Sequence, residues 1–292
     1  MKNILSRYLL NNDIVISASD TTELAEYAHQ IHETYPTATA ALGRTLTAAV
    51  MMASGLKGKD QNLTISINGG GPAGTVLATA DANGRVKGCI NNPFVDLPAK
   101  EDGSLDVGGA IGKDGFVTVS KNVGAPEPYV GRTPLVSGEI AEDLAYYYLQ
   151  SEQQPTVVYL CTWVDIDTRV IAAGGLVIAP LPGASEESLK MVEERLHLIN
   201  NYALMLMNLS PDEAVRKIFK GLDLKHLGDS ELSYCCDCSR ERLEQVLISL
   251  GEAELKDIIE KDHGAELTCR FCNKKYQFSE NELNRLLLEA KS

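Results

Sequence analysis

The chain has 292 residues, 44% of them hydrophobic, and a formal net charge of −13, which leaves room for about two domains with a sizeable core. The acidic balance argues against a nucleic-acid partner, because phosphate binding requires a basic surface. No apolar run approaches the roughly 20 residues of a membrane span, and no secretory signal follows Lys2. The grouping of the seven cysteines suits a reducing cytosol. We therefore expect a cytoplasmic protein without a membrane partner.

Residues 1–180 are predicted to form a mixed α/β domain with a largely antiparallel sheet, in a chain of the α+β class. The predicted elements alternate strand patterns with a few capped helices. In chain order they are a strand at 13–18, a helix capped by Asp20 or Thr21, a buried helix at 37–56, strands at 63–68, 75–80, 85–90 and 116–120 (the last after an Asp114-Gly115 turn), a helix at 140–151, and strands at 156–161 and 169–178. Within these strands, Cys89 and Cys161 are predicted to be small core residues rather than reactive thiols.

The glycine-rich run at 69–74 (Gly-Gly-Gly-Pro-Ala-Gly) has the form of a dinucleotide-binding pattern. That pattern binds a pyrophosphate only when a helix follows, because the helix N-terminus holds the phosphates. Here the following residues form a strand pattern that turns at Asn83-Gly84, a favoured hairpin pair. The run therefore predicts a connection between strands rather than a nucleotide site.

Residues 181–228 are predicted to form a helical linker region after the proline-rich boundary at 180–184. Ser185 is expected to cap one helix, and Ser210 and Glu213 are expected to form a capping box at the start of another. The segment Ala203–Leu209 is rich in Leu and Met. It is predicted to pack as a core seam in the resting protein, although a Met-rich face exposed on demand would also suit binding to many partners.

Residues 229–292 are predicted to form a small C-terminal module. Ser239 is expected to cap a helix that runs to Leu250, a second helix follows at 252–261, and a strand-like hairpin at 266–278 precedes a last helix with a capping box from Ser279 to Glu282. About sixty residues build only a small core. A bound metal is therefore expected to contribute much of the folding free energy of the module.

Two short cysteine pairs lie in this module, Cys236 with Cys238 and Cys269 with Cys272. Four closely placed thiolates form a tetrahedral soft-ligand set, and zinc is the metal that usually binds such a set. The sequence leaves one alternative open, because Cys235 offers a competing Cys235-x-x-Cys238 pair. His263, six residues before Cys269, is a weaker alternative ligand.

The single residue between Cys236 and Cys238 suggests a redox role for the site. A disulfide across so small a ring departs from relaxed geometry and should be labile. Two other classes compete with a redox switch. A static zinc module for nucleic acid is disfavoured by the nine Lys and Arg against thirteen Asp and Glu from Glu231 onward. A thiol–disulfide oxidoreductase usually has its Cys-x-x-Cys at a helix start, whereas strand-like residues precede Cys269.

Several motifs together resemble the redox-regulated 33-kilodalton heat-shock chaperone family, and the resemblance covers essentially the whole chain. The motifs are Cys236-Asp237-Cys238-Ser239-Arg240-Glu241-Arg242, Cys269-Arg270-Phe271-Cys272, Ala41-Leu42-Gly43-Arg44-Thr45, the glycine run at 69–74, Asn92-Pro93 and Ser137-Gly138-Glu139. The resemblance implies a non-enzymatic, ATP-independent holdase chaperone. Such a chaperone protects unfolding proteins from aggregation under oxidative stress.

The resemblance also implies how the site works. One zinc per chain would be bound in the reduced form by Cys236, Cys238, Cys269 and Cys272. Oxidation would form the disulfides Cys236–Cys238 and Cys269–Cys272, release zinc, unfold the C-terminal module and expose a surface for unfolded client proteins. The chain would be a monomer when reduced and a homodimer when oxidised.

Overall fold

The computed structural model describes residues 3–289, and within that range the chain forms thirteen strands and eleven helices. The strands are β1 (Ile4–Leu10), β2 (Ile14–Asp20), β3 (Asn62–Gly70), β4 (Val76–Asp81), β5 (Arg85–Ile90), β6 (Gly112–Asn122), β7 (Tyr129–Pro134), β8 (Val157–Val164), β9 (Val170–Pro180), β10 (Leu224–Glu231), β11 (Ser233–Tyr234), β12 (Gly264–Thr268) and β13 (Lys275–Ser279). The helices are α1 (Thr22–His32), α2 (Pro36–Ala53), α3 (Val107–Ile111), α4 (Ala141–Ser151), α5 (Glu186–Glu193), α6 (Leu196–Ile199), α7 (Tyr202–Leu206), α8 (Pro211–Ile218), α9 (Arg240–Ser249), α10 (Glu252–Asp262) and α11 (Glu280–Glu289).

The chain divides into two compact units, one that ends at Cys235 and one that begins at Cys236. The first unit contains two sheets, with strand orders β10-β1-β2-β9-β8 and β11-β5-β4-β3-β6-β7. All their pairings are antiparallel except that of β11 with β5. The second unit contains the antiparallel hairpin β12-β13. The predicted α+β class with largely antiparallel sheets is confirmed.

Helix α2 forms the centre of the first unit, because it packs on strands of both sheets. Its sequence is dominated by Ala and Thr with Leu42 and Leu46, and nearly all of its side chains are buried. Small side chains let a helix approach a sheet closely on more than one side. The prediction of a buried helix in this part of the chain is confirmed, with an end at Ala53 rather than Leu56.

Helices α5 to α8 cover the other face of the first sheet. Their buried residues, including Tyr202, Leu206 and Phe219, pack against Tyr8, Ile16 and other residues of the sheet. Both predicted caps are confirmed: Ser185 Oγ accepts a hydrogen bond from Ser188 N, and Ser210 and Glu213 form a reciprocal capping box. In the segment predicted as a core seam, Ala203–Leu209, Ala203 and Leu206 are buried, whereas Leu204 and Met207 are exposed.

Three features of the first unit differ from the sequence-based expectations or were not foreseen. The predicted turn at Asp114-Gly115 is wrong: β6 runs continuously from Gly112, and the backbone at Gly115 approaches Asn68 too closely for a side chain. Strands β1, β7, β10 and β11 were not predicted. Strand β10 pairs with β1 from the far end of the unit and runs across position 229, where the C-terminal module was predicted to begin. The division at 180 and 228 stays a prediction about how the chain is organised functionally.

The second unit has a core of its own, which is small. Seven buried hydrophobic side chains form it, from α9, α10, the hairpin and α11: Leu247, Leu255, Ile259, Tyr276, Phe278, Leu283 and Leu286. Ser239 caps α9 through Arg242 N, and Ser279 and Glu282 form the predicted capping box of α11.

Within residues 3–289, every helix is too short or too polar to span a bilayer.

Candidate metal centre

The four predicted cysteines lie on two loops of the second unit. Cys236 and Cys238 occupy the irregular segment that leads into α9, and Cys269 and Cys272 occupy the turn between β12 and β13. This turn is tightly bonded, because Cys269 N donates to Lys274 O and Asn273 N donates to Cys269 O. Asn273 has a φ of 55°, a left-handed conformation that Asn tolerates better than most residues. These bonds hold Cys269 and Cys272 close together in one short turn.

The four sulfur atoms form one cluster in which all Sγ atoms lie within 4.8 Å of one another. Cys236 Sγ is 3.6 Å from Cys269 Sγ, and Cys238 Sγ is 3.4 Å from Cys272 Sγ. Sulfurs at the corners of a tetrahedral zinc site are about 3.8 Å apart, given a Zn–S distance of about 2.3 Å. The donor set and its spacing therefore fit a tetrahedral thiolate-bound metal ion.

Burial and hydrogen bonding shift the pKa values of individual cysteines in the cluster in different directions. Burial raises the pKa of Cys236 and that of Cys272. Burial acts in the same direction on Cys238, but hydrogen bonds with Tyr276 and Cys272 outweigh it and lower the pKa of Cys238 to about 7. Cys238 therefore ionises more readily than Cys236 or Cys272. The thiolate is the form that binds metal and reacts with oxidants.

Tyr276 is a neighbour of the cluster that sequence reasoning missed. Its hydroxyl lies 3.2 Å from Cys238 Sγ and donates to Cys238 O at 3.2 Å, and this contact raises the pKa of Tyr276 to about 12. The alternation of β13, which buries Tyr276 and Phe278 and exposes the residues between them, was visible in the sequence. It shows that the tyrosine ring faces inward, but it does not show which atom its hydroxyl contacts.

The other candidates lie elsewhere. Cys235 ends the first unit, where its backbone N donates to Val86 O, and it is not among the four clustered cysteines. His263 is exposed, with its Nδ1 3.2 Å from Glu280 Oε2. Cys89 and Cys161 are buried in β5 and β8, as predicted for core residues, and burial raises the pKa of Cys161 to about 12.

The glycine run at 69–74 connects β3 to β4, as predicted, and no helix follows it. Gly69 and Gly71 lie directly against the backbone of residues 110–112, where an added Cβ would come within 2.4 Å of a carbonyl oxygen. Their lack of a side chain is therefore explained by close packing of two chain segments. Among the described residues, the four clustered cysteines form the one group of three or more Cys, His, Asp or Glu side chains placed to hold a metal ion.

Fold and site together define an α+β protein with a separate small module built around four clustered cysteines. The sequence pattern of the family described as Hsp33 protein matches residues 3–279. The chain is 45% identical to the 33 kDa chaperonin of Alkaliphilus metalliredigens over 96% of both chains. It is 46% identical to the 33 kDa chaperonin of Clostridium perfringens, over 99% of this chain and 92% of the relative.

A solved structure agrees with these matches. The crystal structure of the 33 kDa chaperonin (heat shock protein 33 homolog) from Thermotoga maritima matches with a TM-score of 0.91 and 33% identity over the full length of both chains. The chain therefore belongs to the Hsp33 family, as its motifs indicated. Membership supports a chaperone role, and the relatives are named chaperonins rather than enzymes.

Proposed function

We propose that this protein is a redox-regulated, ATP-independent holdase chaperone that has no enzymatic activity. The observation that carries the proposal is the cluster of four cysteine sulfurs within 4.8 Å in a unit with a small hydrophobic core. Its membership in a family whose relatives are named chaperonins supports the chaperone part. The cluster supports the redox part, because four adjacent thiolates can both hold a metal and be oxidised.

The proposed resident metal is one zinc ion per reduced chain, held by Cys236, Cys238, Cys269 and Cys272. When bound, zinc would crosslink the two loops and keep the four sulfurs as thiolates. The residues around the cluster favour this arrangement. Ser239 caps α9 directly after the first pair, and the bonded turn after Cys269 holds the second pair in place.

Oxidation by peroxide would occur once at each cysteine pair. Two thiolates and two protons react with one hydrogen peroxide molecule: the O–O bond breaks, one S–S bond forms and two water molecules leave. We propose the pairs Cys236–Cys238 and Cys269–Cys272, which are closest in sequence. The distances between the sulfurs do not select a pairing, since all four Sγ atoms lie within 4.8 Å of one another. Two disulfides consume all four thiolates, so none remains to act as a ligand.

Loss of the thiolate cluster would unfold the second unit. Disulfides that close such short loops constrain the unfolded chain little and cannot replace the stabilisation from the metal. Unfolding would then expose apolar surface that binds unfolded client proteins. The proposal includes a cytoplasmic location, a reduced monomer and an oxidised homodimer, all of which the family resemblance implies, and partners that are neither nucleic acid nor membrane.

The test is to oxidise the purified chain with peroxide under mild heat and to follow three signals together. These are zinc release, loss of helical signal and suppression of aggregation of an unfolding client protein. We expect all three to change together and to reverse on reduction with zinc present. A Cys89→Ala variant, which changes a buried thiol outside the cluster, serves as the control and should switch normally. Equal protection of the client by the reduced and oxidised protein would disprove the redox switch.

A further inference from the structure

The four residues that precede the second unit form a strap on the first unit. We use the name strap for residues 232–235. Three of its backbone amides donate to the unit: Leu232 N to Asn3 O, Ser233 N to Gly84 O and Cys235 N to Val86 O, at 2.8 to 3.0 Å. Strand β11 within the strap is parallel to β5 and forms the end of the second sheet. The strap therefore covers an edge of that sheet.

The strap satisfies this edge at every second residue of the β4–β5 hairpin. The carbonyls of Gly84 and Val86 accept from strap amides. At Gly88 the contact is made by side chains: the hydroxyl of Tyr234 donates to Gly88 O at 2.9 Å and lies 3.3 Å from Gly88 N. His32 Nε2 of α1 also lies 3.0 Å from Gly88 O. Positions 84 and 86 thus present the two-residue spacing at which an extended chain pairs with an edge strand.

Two side chains of the strap pack against the rest of the first unit. Leu232 is buried in the main core. The ring of Tyr234 lies against the ring of Tyr27 on α1, with centroids 5.2 Å apart. Gly84 allows the backbone to come this close, since a Cβ there would be 2.4 Å from Glu231 O. The surfaces that Leu232 and Tyr234 contact therefore suit an extended segment with one large apolar side chain and one aromatic side chain two residues later.

The part of the strap that pairs as a strand is short. Its strand has only two residues, and parallel pairing is less stable per residue than antiparallel pairing. Short elements with few bonds open at free energies well below that of global unfolding. In the sequence only Cys235 separates Tyr234 from Cys236, the first cysteine of the cluster. The second unit therefore begins directly after the strap.

We propose that the edge formed by Gly84 and Val86, with the surfaces that Leu232 and Tyr234 contact, is a peptide-binding site that the strap blocks in the resting protein. Its ligand is an extended segment of an unfolded polypeptide, with large apolar or aromatic side chains two residues apart. The segment pairs with β5 through its backbone, as in other cases of strand addition. This inference rests on the proposed chaperone function, for which it supplies a binding site.

The test uses a fluorescent peptide with the sequence of residues 229–235, carrying Cys235→Ser, and the full-length reduced chain. Tyr234→Ala removes the aromatic anchor and the bonds from Tyr234 to Gly88 and leaves His32 on Gly88 O. It therefore increases the fraction of molecules whose edge is open at Gly84 and Val86. We expect the variant to bind the peptide about tenfold or more tightly than the unmodified chain, because apparent affinity rises with the population of the open state. Ser233→Ala alters an exposed strap side chain and should behave as the unmodified chain does.

Two further peptides separate strand pairing from nonspecific adhesion. One carries methyl groups on the amide nitrogens of residues 233 and 235, which removes the donors to Gly84 and Val86. The other replaces Leu232 and Tyr234 by serine. We expect both to lose at least tenfold in affinity for the Tyr234→Ala chain. Equal binding of all three peptides to that chain would overturn the proposal.

Amide hydrogen exchange at residues 232–235 is measured as well, to show whether the variant opens the strap. Faster exchange at these residues without peptide binding would also overturn the proposal. If exchange is not faster, the double variant Leu232→Ser with Tyr234→Ala takes its place in the same assay, and absence of binding to that chain overturns the proposal. All arms use reduced, metal-loaded protein, so the result does not depend on whether the redox switch operates.

Discussion

Arg44 and Glu139 illustrate what single residues contribute to this molecule. They belong to two of the motifs on which the family resemblance was based, and the structure joins them: Arg44 Nη1 donates to Glu139 Oε2 at 2.8 Å. Glu139 Oε1 also accepts from Lys100 and from Gly108 N. The pair links α2 to the segment before α4. Burial opposes ionisation of Glu139, but Lys100 and Arg44 together lower the pKa of the Glu139 carboxyl.

This lowered pKa predicts a pH-dependent contribution to stability. The folded pKa lies below the unfolded value of 4.5, so the stabilisation is fully present above pH 4.5 and is lost as the pH falls through the folded pKa. Glu139→Gln should reduce the free energy of unfolding of the first unit by about 1–3 kcal/mol at pH 7. The deficit should shrink as the pH falls below 4.5. Denaturant unfolding at several pH values measures it, and a deficit that is constant with pH would contradict the ion pairing.

A second prediction at this scale concerns the choice between Cys235 and Cys236. Cys236 lies in the sulfur cluster, whereas Cys235 does not. Cys235→Ser should therefore keep one zinc per chain and normal switching, and Cys236→Ser should lose both. Metal analysis and a client aggregation assay on the two variants provide the measurement. The reverse outcome would show that Cys235 and Cys238 are the working pair.

At the scale of elements, helix α8 depends on its capping box. Ser210 Oγ accepts from Glu213 N at 3.3 Å, and the Glu213 carboxylate accepts from Ser210 N at 2.8 Å. Ala214, Val215 and Ile218 of this helix are buried against the first sheet. The cap therefore stabilises a helix that packs on the first sheet and precedes β10 in the sequence.

Ser210→Ala should destabilise the first unit by about 1 kcal/mol, because an alanine N-cap leaves helix N–H groups unsatisfied. The measurement is the denaturant midpoint of the first unit at neutral pH. Ser233→Ala provides a matched control, since this serine is exposed on a strand and caps no helix. Equal midpoints for the two variants would contradict the assigned role of the cap.

For the whole molecule, the two units differ in what stabilises them. The first unit has two extensive clusters of buried residues, whereas the second has seven buried hydrophobic side chains. Structural zinc contributes roughly 10–16 kcal/mol in small zinc peptides, comparable to the about 5–15 kcal/mol that stabilise an entire domain. The folding of the second unit should therefore depend on the metal far more than the folding of the first unit does.

Chelation of zinc from reduced protein should therefore unfold the second unit and leave the first unit folded. Hydrogen exchange should show loss of protection in α9, α10 and α11, whereas α2 and the strands packed on it stay protected. Addition of zinc should restore protection. If α9–α11 keep their protection after complete removal of the metal, the small core alone stabilises this unit and the proposed switch loses its physical basis.

Local patterns in the sequence determined much of this protein. The caps at Ser185, Ser210 and Ser239 were predictable because an N-cap depends on side chains within three residues of it. The buried helix α2 and the hairpin at Asn83-Gly84 were also predictable from local patterns, namely an Ala- and Leu-rich run and a favoured turn pair. The two cysteine pairs indicated a metal site because their spacing within each pair is short.

Tertiary structure alone decided the features that join distant parts of the chain. Strand β10 pairs with β1 across more than 200 residues, and neither segment shows a pattern that names its partner. The bond between Arg44 and Glu139, the contact of Tyr276 with Cys238 and the strap over β5 depend likewise on the packing of whole elements. Such contacts form where the fold brings two surfaces together, and alternation or capping within one segment carries no information about the second surface.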